Sequence, residues 1–214
     1  MGIGLWKILI FDFDGVLADS LDDMLQYARE VCAQLGHACD PTPANLEALD
    51  IMSFAELGRQ LGVPDHQIEV FIQRVFKLFI SGERPPKIIP GLEYILVQLA
   101  QKHKISIVTG NTSAFVRPFL DRYGLLDCVE IILDVNDPGS RAEKILKVTN
   151  DLNGHTQRVY MIGDAVSDIW AAHQAGVKSL AVSWGHQSRE KLMSANPDFL
   201  VDSPQELFAL LDKD

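Results

Sequence analysis

Apolar residues come in short continuous runs along this chain, and six of the runs have the length of single β-strands. A continuous run, as opposed to alternating apolar and polar residues, is typical of a strand that is covered on both faces. Amphipathic helical stretches separate the later runs, and such alternation predicts a doubly wound parallel sheet. The predicted strands are Ile8–Phe11, Ile105–Thr109, Glu130–Leu133, Val159–Gly163, Ser179–Ser183 and Phe199–Val201.

The alternation is interrupted between residues 20 and 83, where every periodic segment is helical. One apolar stripe begins at Leu21 and is closed by Gly36, a residue favoured just after a last helical turn. Ser53 stands three residues before Glu56, which is the spacing of a capping box. We therefore predict an α/β fold whose parallel-sheet core comprises residues 1–19 and 84–214, with an all-helical cap inserted at 20–83. The Pro-rich stretch from Glu83 to Gly91 would return the chain to the sheet.

Composition narrows the possible partners. The chain has 214 residues, 47% of them hydrophobic, and a net charge of -10, without a basic stripe. Because clustered Lys and Arg carry most nucleic-acid affinity, we expect no nucleic-acid partner. The apolar run near the N-terminus is too short for a signal peptide or a membrane span, so we expect no membrane contact. The odd number of cysteines favours reduced thiols in a cytoplasmic protein over a disulfide framework.

Carboxylates and a Thr-Gly-Asn turn follow three of the predicted strands. Asp12 and Asp14 stand where the first strand ends, and residues two apart in an extended segment face the same side. In open parallel sheets, ligands bind beyond the carboxyl ends of the strands. The stretch Val108–Thr112 offers a hydroxyl and backbone N–H groups suited to phosphate oxygens. Asp164 and Asp168 follow the fourth predicted strand.

A pair of cations precedes these last acids. Arg141 and Lys144 are three residues apart near the start of a predicted helix and therefore lie on one helical face. Taken alone, such a pair is typical of a charged helix surface.

Taken in order, the Asp-x-Asp pair, the Thr-Gly-Asn turn, the cations and the Gly-Asp-x-x-x-Asp segment resemble the haloacid dehalogenase superfamily. The first motif, Asp12 to Ser20, carries the most specific part of the resemblance, and the C-terminal stretch "VSWGHQSREKLMSANPDFLVDSPQEL" is similar to the phosphoglycolate phosphatase-like branch. The resemblance implies a Rossmann-like core with a helical cap inserted after the first motif. It also implies hydrolysis of a small phosphomonoester, such as a phosphoglycolate-like metabolite.

The resemblance assigns catalytic roles. Asp12 would attack phosphorus to form an aspartyl-phosphate, and Asp14 would protonate the leaving alcohol and then activate water. Thr109 would hold phosphoryl oxygens. Arg141 or Lys144 would neutralise the charge of the nucleophile and the phosphate. Many relatives have a Lys-Pro pair at that third motif and this chain does not, so the identity of the cation stays open.

Metal and substrate contacts follow from the same resemblance. Mg²⁺ would lie between Asp12, the Asp14 carbonyl and Asp164, with Asp168 as a ligand or as support for one. Around the substrate, the remaining candidates are the turn residues beside Thr109 and three cap residues that would face the non-phosphate part: Gly110, Asn111, Ser53, Phe54 and Arg59.

Alternative functions stay open at this level. Asp14 favours phosphoryl chemistry, because metal-free dehalogenases of the superfamily lack the second acid. A sugar phosphomutase shares the first motif, but the cap stretch "DIMSFAE" has no Arg where the mutases keep one. A binding protein of the same fold without activity is the non-enzyme alternative. The choice of phosphorylated substrate and the oligomeric state, monomer or homodimer, are not determined by the sequence.

Overall fold

Six parallel strands form one sheet at the centre of the computed structural model, which describes residues 6–82 and 85–213. Their order across the sheet is β5-β4-β1-β6-β7-β8, so β1 lies in the middle. All six predicted strands are confirmed to within a residue at each end. The strands, including two short ones outside this sheet, are β1 Ile8–Phe11, β2 Ala18–Asp19, β3 Lys87–Ile88, β4 Lys104–Val108, β5 Val129–Leu133, β6 Val159–Gly163, β7 Lys178–Val182 and β8 Phe199–Val201.

Helices cover both faces of the sheet, as the continuous apolar runs require. Leu9 and Phe11 of β1 face one apolar cluster, whereas Ile8 and Ile10 face the other. Because neither face of β1 meets water, its sequence has no polar alternation. The helices that follow the insert are α5 Leu92–Ala100, α6 Ser113–Arg122, α7 Arg141–Asp151, α8 Val166–Ala175, α9 Arg189–Ser194 and α10 Pro204–Leu211.

Four helices fill the insert between β2 and β3. Ser53 accepts a hydrogen bond from the backbone N–H of Glu56, which confirms the cap predicted from their spacing. β2 and β3 pair antiparallel at the base of the insert, a ribbon too short for the sequence pattern to reveal. The predicted boundary at residues 83 and 84, and with it the start of the Pro-rich link, lies outside the described residues. The insert helices are α1 Leu21–Gln34, α2 Pro43–Glu47, α3 Phe54–Gln60 and α4 Asp65–Ser81.

Aromatic side chains join the insert to the sheet. Phe79, in the last turn of α4, has its ring 5.1 Å from that of Phe115 on α6. Phe115 in turn lies 5.8 Å from Phe13, which follows β1. The apolar interior of the insert is therefore continuous with the core on this face of the sheet.

The expectation of reduced cysteines is wrong for one pair. Cys32 and Cys39 form a disulfide, with their Cα atoms 6.2 Å apart. Gly36 adopts a φ of 83°, and this left-handed turn folds the chain back after α1 so that the two cysteines meet. Cys128 is a free thiol.

None of the helices in the described part of the chain combines the length and the apolar character that crossing a bilayer requires.

Candidate active site

The register of the central strands brings the sequence-distant polar residues together. Phe11 of β1 pairs with Ile107 of β4 on one side and with Ile162 of β6 on the other. Asp12 extends this ladder, because its N–H donates to the carbonyl of Ile162 at 2.8 Å. Thr109 and Asp164 lie immediately beyond β4 and β6. The side chains of Asp12, Thr109 and Asp164 therefore follow the carboxyl ends of three adjacent strands, at the same edge of the sheet.

Asp12 is a buried carboxyl with two fixed partners. The backbone N–H of Phe13 donates to its Oδ1 at 2.8 Å. Arg141 Nη1 lies 2.9 Å from its Oδ2. Burial raises the pKa of Asp12, and the Arg141 charge opposes that rise. The ion pair with Arg141 therefore favours the carboxylate form, which a nucleophile requires.

Asp14 faces the same cavity in a different environment. Asn111 Nδ2 donates to its Oδ2 at 2.9 Å. Burial raises the pKa of Asp14 to about 6, although the Asn111 hydrogen bond lowers it. A carboxyl with such a pKa can carry a proton near neutral pH and release it, as a general acid and base must. Gly15, with φ +74°, turns the chain away directly after it, and a Cβ there would overlap Asp164 and His186.

Three buried carboxyls form a site suited to a metal ion. Asp12, Asp164 and Asp168 each offer an oxygen, and these oxygens lie within 4.8 Å of one another. Arg141 contacts Asp12 and also Asp168. Carboxylate oxygens are the ligands that Mg²⁺ prefers, and a divalent cation would relieve the mutual repulsion of these acids. The residues present therefore fit Mg²⁺.

Arg141 and Lys144 have different surroundings, although they share a helical face. Ser140 and Glu143 form a capping box that begins α7 at Arg141, whose guanidinium reaches the acids. Lys144 is buried, and its Nζ donates to the carbonyl of Asp134 at 2.6 Å. Burial lowers the pKa of Lys144. Of the two candidates, Arg141 is the one in contact with Asp12.

The turn after β4 is ordered by its own side chains. Thr109 Oγ1 accepts a hydrogen bond from the N–H of Asn111 at 3.0 Å. Thr109 and Gly110 line a cavity of about 190 Å³ that also contains Asp12, Asp14 and Arg141. Asn111 is buried behind this turn and contacts Asp14. The arrangement puts a hydroxyl and a glycine backbone beside the carboxyl pair.

The three candidate residues of the insert are not all near the cavity. Ser53 and Phe54, at the start of α3, line it. Arg59 lies outside the cavity lining and is half exposed, with its guanidinium paired to Glu56 at 2.6 Å and to Asp65 at 3.0 Å. The helical spacing placed Arg59 on α3 but could not show that its side chain pairs with Glu56 and Asp65 outside the cavity lining.

His186 lies at the site but is not among the residues that the sequence singled out. It is buried, lines the cavity, and has its Nδ1 2.9 Å from Asp164 Oδ2. Its backbone N–H donates to the same oxygen at 2.7 Å. Burial lowers the pKa of His186, but the neighbouring carboxylates, Asp164 first, raise it overall to about 9. The position of the loop just after β7, at the same edge of the sheet, is the signal that could have revealed it.

Gln187, the next residue, connects the core to the insert. Its Oε1 accepts from the N–H of Val166 at 2.7 Å, and its Nε2 donates to the carbonyl of Leu49 at 2.6 Å. Because the side chain is buried and bonded at both ends, it fixes the segment before α3 against the N-terminus of α8.

Comparison with known proteins places this geometry in context. A family model described as haloacid dehalogenase-like hydrolase matches residues 9–182. A phosphoglycolate phosphatase from Synechococcus elongatus is 28% identical over 203 residues, which cover 94% of this chain and 95% of that protein. A phosphoglycolate phosphatase from Aquifex aeolicus is 24% identical, with 96% of this chain and 97% of that protein covered.

Solved structures share the fold. The structure of a protein from Clostridium acetobutylicum, described as a predicted phosphatase, superposes with a TM-score of 0.86 at 19% identity. The match covers 98% of this chain and 100% of that one. A haloacid dehalogenase-like family hydrolase from Streptococcus pneumoniae gives a TM-score of 0.83 at 18% identity, covering 96% and 98%. Both support the parallel core with its helical cap.

Proposed function

The chain belongs to the haloacid dehalogenase-like hydrolase family, and from this premise we propose that it is a Mg²⁺-dependent phosphatase that hydrolyses a small phosphomonoester. The observation that carries the proposal is the pair of carboxyls after β1, with Asp12 ion-paired to Arg141 and Asp14 hydrogen-bonded to Asn111. Burial raises the pKa of both carboxyls, but only Asp12 has a guanidinium in contact to favour its anion, which suits a nucleophile beside a general acid.

The first chemical step belongs to Asp12 and Asp14. A carboxylate oxygen of Asp12 forms a bond to phosphorus while the ester P–O bond breaks, and Asp14 gives its proton to the departing alkoxide. In the second step Asp14, now a base, takes a proton from water. The water oxygen bonds to phosphorus, the Asp12–phosphorus bond breaks, and inorganic phosphate leaves.

Other residues would hold the transferring group. The Thr109 hydroxyl and the backbone at Gly110 and Asn111 would bind the phosphoryl oxygens, and Arg141 would offset the charge that Asp12 and the phosphate bring together. Asp12, the carbonyl of Asp14, Asp164 and Asp168 would hold the ion. When bound, Mg²⁺ would neutralise phosphate charge and polarise a phosphoryl oxygen. His186 would keep Asp164 in a fixed orientation.

The division of labour between core and cap is part of the proposal. Residues 1–19 and 84–214 would carry the chemistry, and the helices of 20–83 would contact the rest of the substrate through Ser53 and Phe54. The names of the relatives make phosphoglycolate the first ester to test. A cytoplasmic location and a monomeric or homodimeric state stay predictions.

A panel of small phosphomonoesters, assayed with Mg²⁺ and again with excess EDTA, tests the proposal. We expect phosphate release that depends on Mg²⁺ and disappears in Asp12→Asn, because an amide is not a nucleophile. The folded state of that variant is checked by circular dichroism. Transfer of phosphate between positions of a sugar, without free phosphate, would indicate a mutase. Failure of every ester would leave a binding protein.

A further inference from the structure

The cavity at the active site has two chemically different halves. The half on the sheet side carries the charged groups Asp12, Asp14, Arg141 and His186. The half on the insert side is apolar, and its wall side chains come from α1, the segment that leads into α3, the start of α3, and α4. One core residue, in the segment after β5, adds to this apolar wall. The side chains are Met24, Met52, Phe54, Ile72, Phe76 and Val135.

The apolar half offers no charged partner to a ligand. Among the described residues that line the cavity, the basic side chains are Arg141, which contacts Asp12 and Asp168, and His186, whose Nδ1 lies 2.9 Å from Asp164. Ser53 is the polar side chain on the insert side. Its oxygen accepts from the N–H of Glu56 at 3.2 Å, which leaves its O–H as a single donor toward the cavity. A substrate carboxylate or a set of hydroxyls placed here would lose several hydrogen bonds to water and gain at most this one.

The size of the cavity limits the substrate as well. Its volume is about 190 Å³. For comparison, an apolar cavity of about 150 Å³ holds a benzene molecule. After the phosphoryl group has taken its place near Asp12, the space left is smaller than that benzene-sized cavity and suits a short branched chain.

We propose that the preferred substrate is a phosphomonoester of a small apolar alcohol, and that carboxylated and polyhydroxylated esters, phosphoglycolate included, are poor substrates. This inference rests on the proposed phosphatase function. It narrows the range of substrates, because polar groups of a substrate that stay unpaired against the apolar wall reduce kcat/KM.

Matched esters test the substrate preference. Isobutyl phosphate and phosphoglycolate have the same number of non-hydrogen atoms, and glycerol 3-phosphate adds hydroxyls. We expect kcat/KM for isobutyl phosphate to exceed that for phosphoglycolate by about 100-fold or more, the scale on which sites discriminate against groups they cannot pair. Equal values, or a preference for phosphoglycolate or glycerol 3-phosphate, would overturn the inference while leaving the phosphatase assignment intact.

A wall substitution gives a second test. Ile72→Lys puts an ammonium on the half-buried wall, and we expect the ratio of kcat/KM for phosphoglycolate to that for isobutyl phosphate to rise at least about tenfold. Val70→Lys is the matched control, because Val70 lies on the same helix and is 39% exposed. An unchanged ratio in Ile72→Lys, or an equal rise in Val70→Lys, would contradict a wall that sets the preference.

Equilibrium binding tests the substrate preference separately from the phosphatase activity. If no ester is turned over, the phosphatase assignment fails, and equilibrium binding of the same esters to Asp12→Asn with Mg²⁺ still tests the wall. Tighter binding of isobutyl phosphate than of phosphoglycolate supports the inference, and the reverse order overturns it.

Discussion

At the scale of single residues, the contacts of Arg141 distinguish it from Lys144. Arg141 reaches Asp12 at 2.9 Å and also contacts Asp168. Lys144 is used in another way, since its Nζ holds the carbonyl of Asp134 at 2.6 Å at the end of β5. The planar guanidinium of Arg141 contacts two carboxylates at once. The ammonium of Lys144, one turn later on α7, is bonded to the carbonyl of Asp134 instead.

Replacing each cation in turn tests this difference. Arg141→Met removes a preorganised charge beside Asp12, and we expect kcat to fall by about 100- to 1,000-fold. Lys144→Met removes a structural hydrogen bond, and we expect less than about a tenfold loss of kcat together with a lower unfolding midpoint. Phosphate release and urea denaturation measured on both variants give the two readings. A larger kcat loss in Lys144→Met would reverse the assignment.

The residues that the sequence could and could not predict differ in how far their partners lie along the chain. Asp12, Asp14 and Asp164 follow apolar runs directly, so local pattern and strand polarity were enough to bring them together. His186 and Gln187 lie in the loop after β7. This loop reaches the site because β7 lies next to β6 in the sheet, and the order of strands is not readable from local pattern. The choice between Arg141 and Lys144 depends on the rotation of α7 about its axis, which a spacing of three residues does not determine.

At the scale of elements, Phe79 packs α4 of the insert against α6, a helix of the core. Its ring packs 5.1 Å from Phe115 and 4.9 Å from Tyr27, so it joins two helices of the insert to α6. The insert therefore shares its core with the catalytic half.

We expect Phe79→Ala to lower the free energy of unfolding by about 3–5 kcal/mol, as is usual for a buried Phe replaced by Ala. Ile80→Ala is the control on the same helix, because Ile80 is 53% exposed, and there we expect a change within about 0.5 kcal/mol. Urea denaturation followed by tryptophan fluorescence gives both values. Similar losses for the two variants would show that α4 is not anchored through Phe79.

His103, in the turn before β4, connects the residue before β1 to the end of α10. Its Nδ1 accepts from the N–H of Lys7 at 3.3 Å, and its Nε2 lies 3.1 Å from the carbonyl of Leu211. These contacts suit the neutral ring. Burial, followed by the Lys7 charge, lowers the pKa of His103 below its usual 6.5.

A lowered pKa gives this junction a definite pH dependence. The unfolded chain binds a proton at His103 more readily than the folded chain, so the stabilisation is present above about pH 6.5 and is lost as the pH falls below it. We expect the urea midpoint of wild type to fall more between pH 7.5 and 5.5 than that of His103→Gln. The exposed His66→Gln serves as the control and should follow wild type. Parallel curves for wild type and His103→Gln would contradict the assignment.

The elements themselves were predictable to very different degrees. The continuous apolar runs of the strands and the capped helix α3 were found from the sequence, because their signals are local. The ribbon of β2 and β3 was not, since two-residue strands carry no periodicity. The disulfide between Cys32 and Cys39 depends on the turn at Gly36, whose sense of folding is a property of the backbone in three dimensions.

At the scale of the whole molecule, the sheet contributes the reacting groups and the insert contributes the wall opposite them. The carboxyl ends of β1, β4 and β6 hold the acids and the turn at Thr109, while residues of α1, α3 and α4 line the cavity from the insert side. Gln187 bonds to both parts and keeps them together. We therefore propose that the chemistry and the choice of substrate belong to different segments of one chain.

The central claim is that Asp12 becomes phosphorylated during turnover, and the most direct measurement is to trap that species. In Asp14→Asn the water cannot be activated, while nitrophenolate leaves without needing a proton, so the first step is preserved and the second is slowed. With nitrophenyl phosphate and Mg²⁺, followed by acid quench and peptide mass spectrometry, we expect one nitrophenolate per enzyme in a burst and one phosphoryl group on Asp12. Release of nitrophenolate with Asp12 unmodified, or with the phosphoryl group on another residue, would contradict the mechanism.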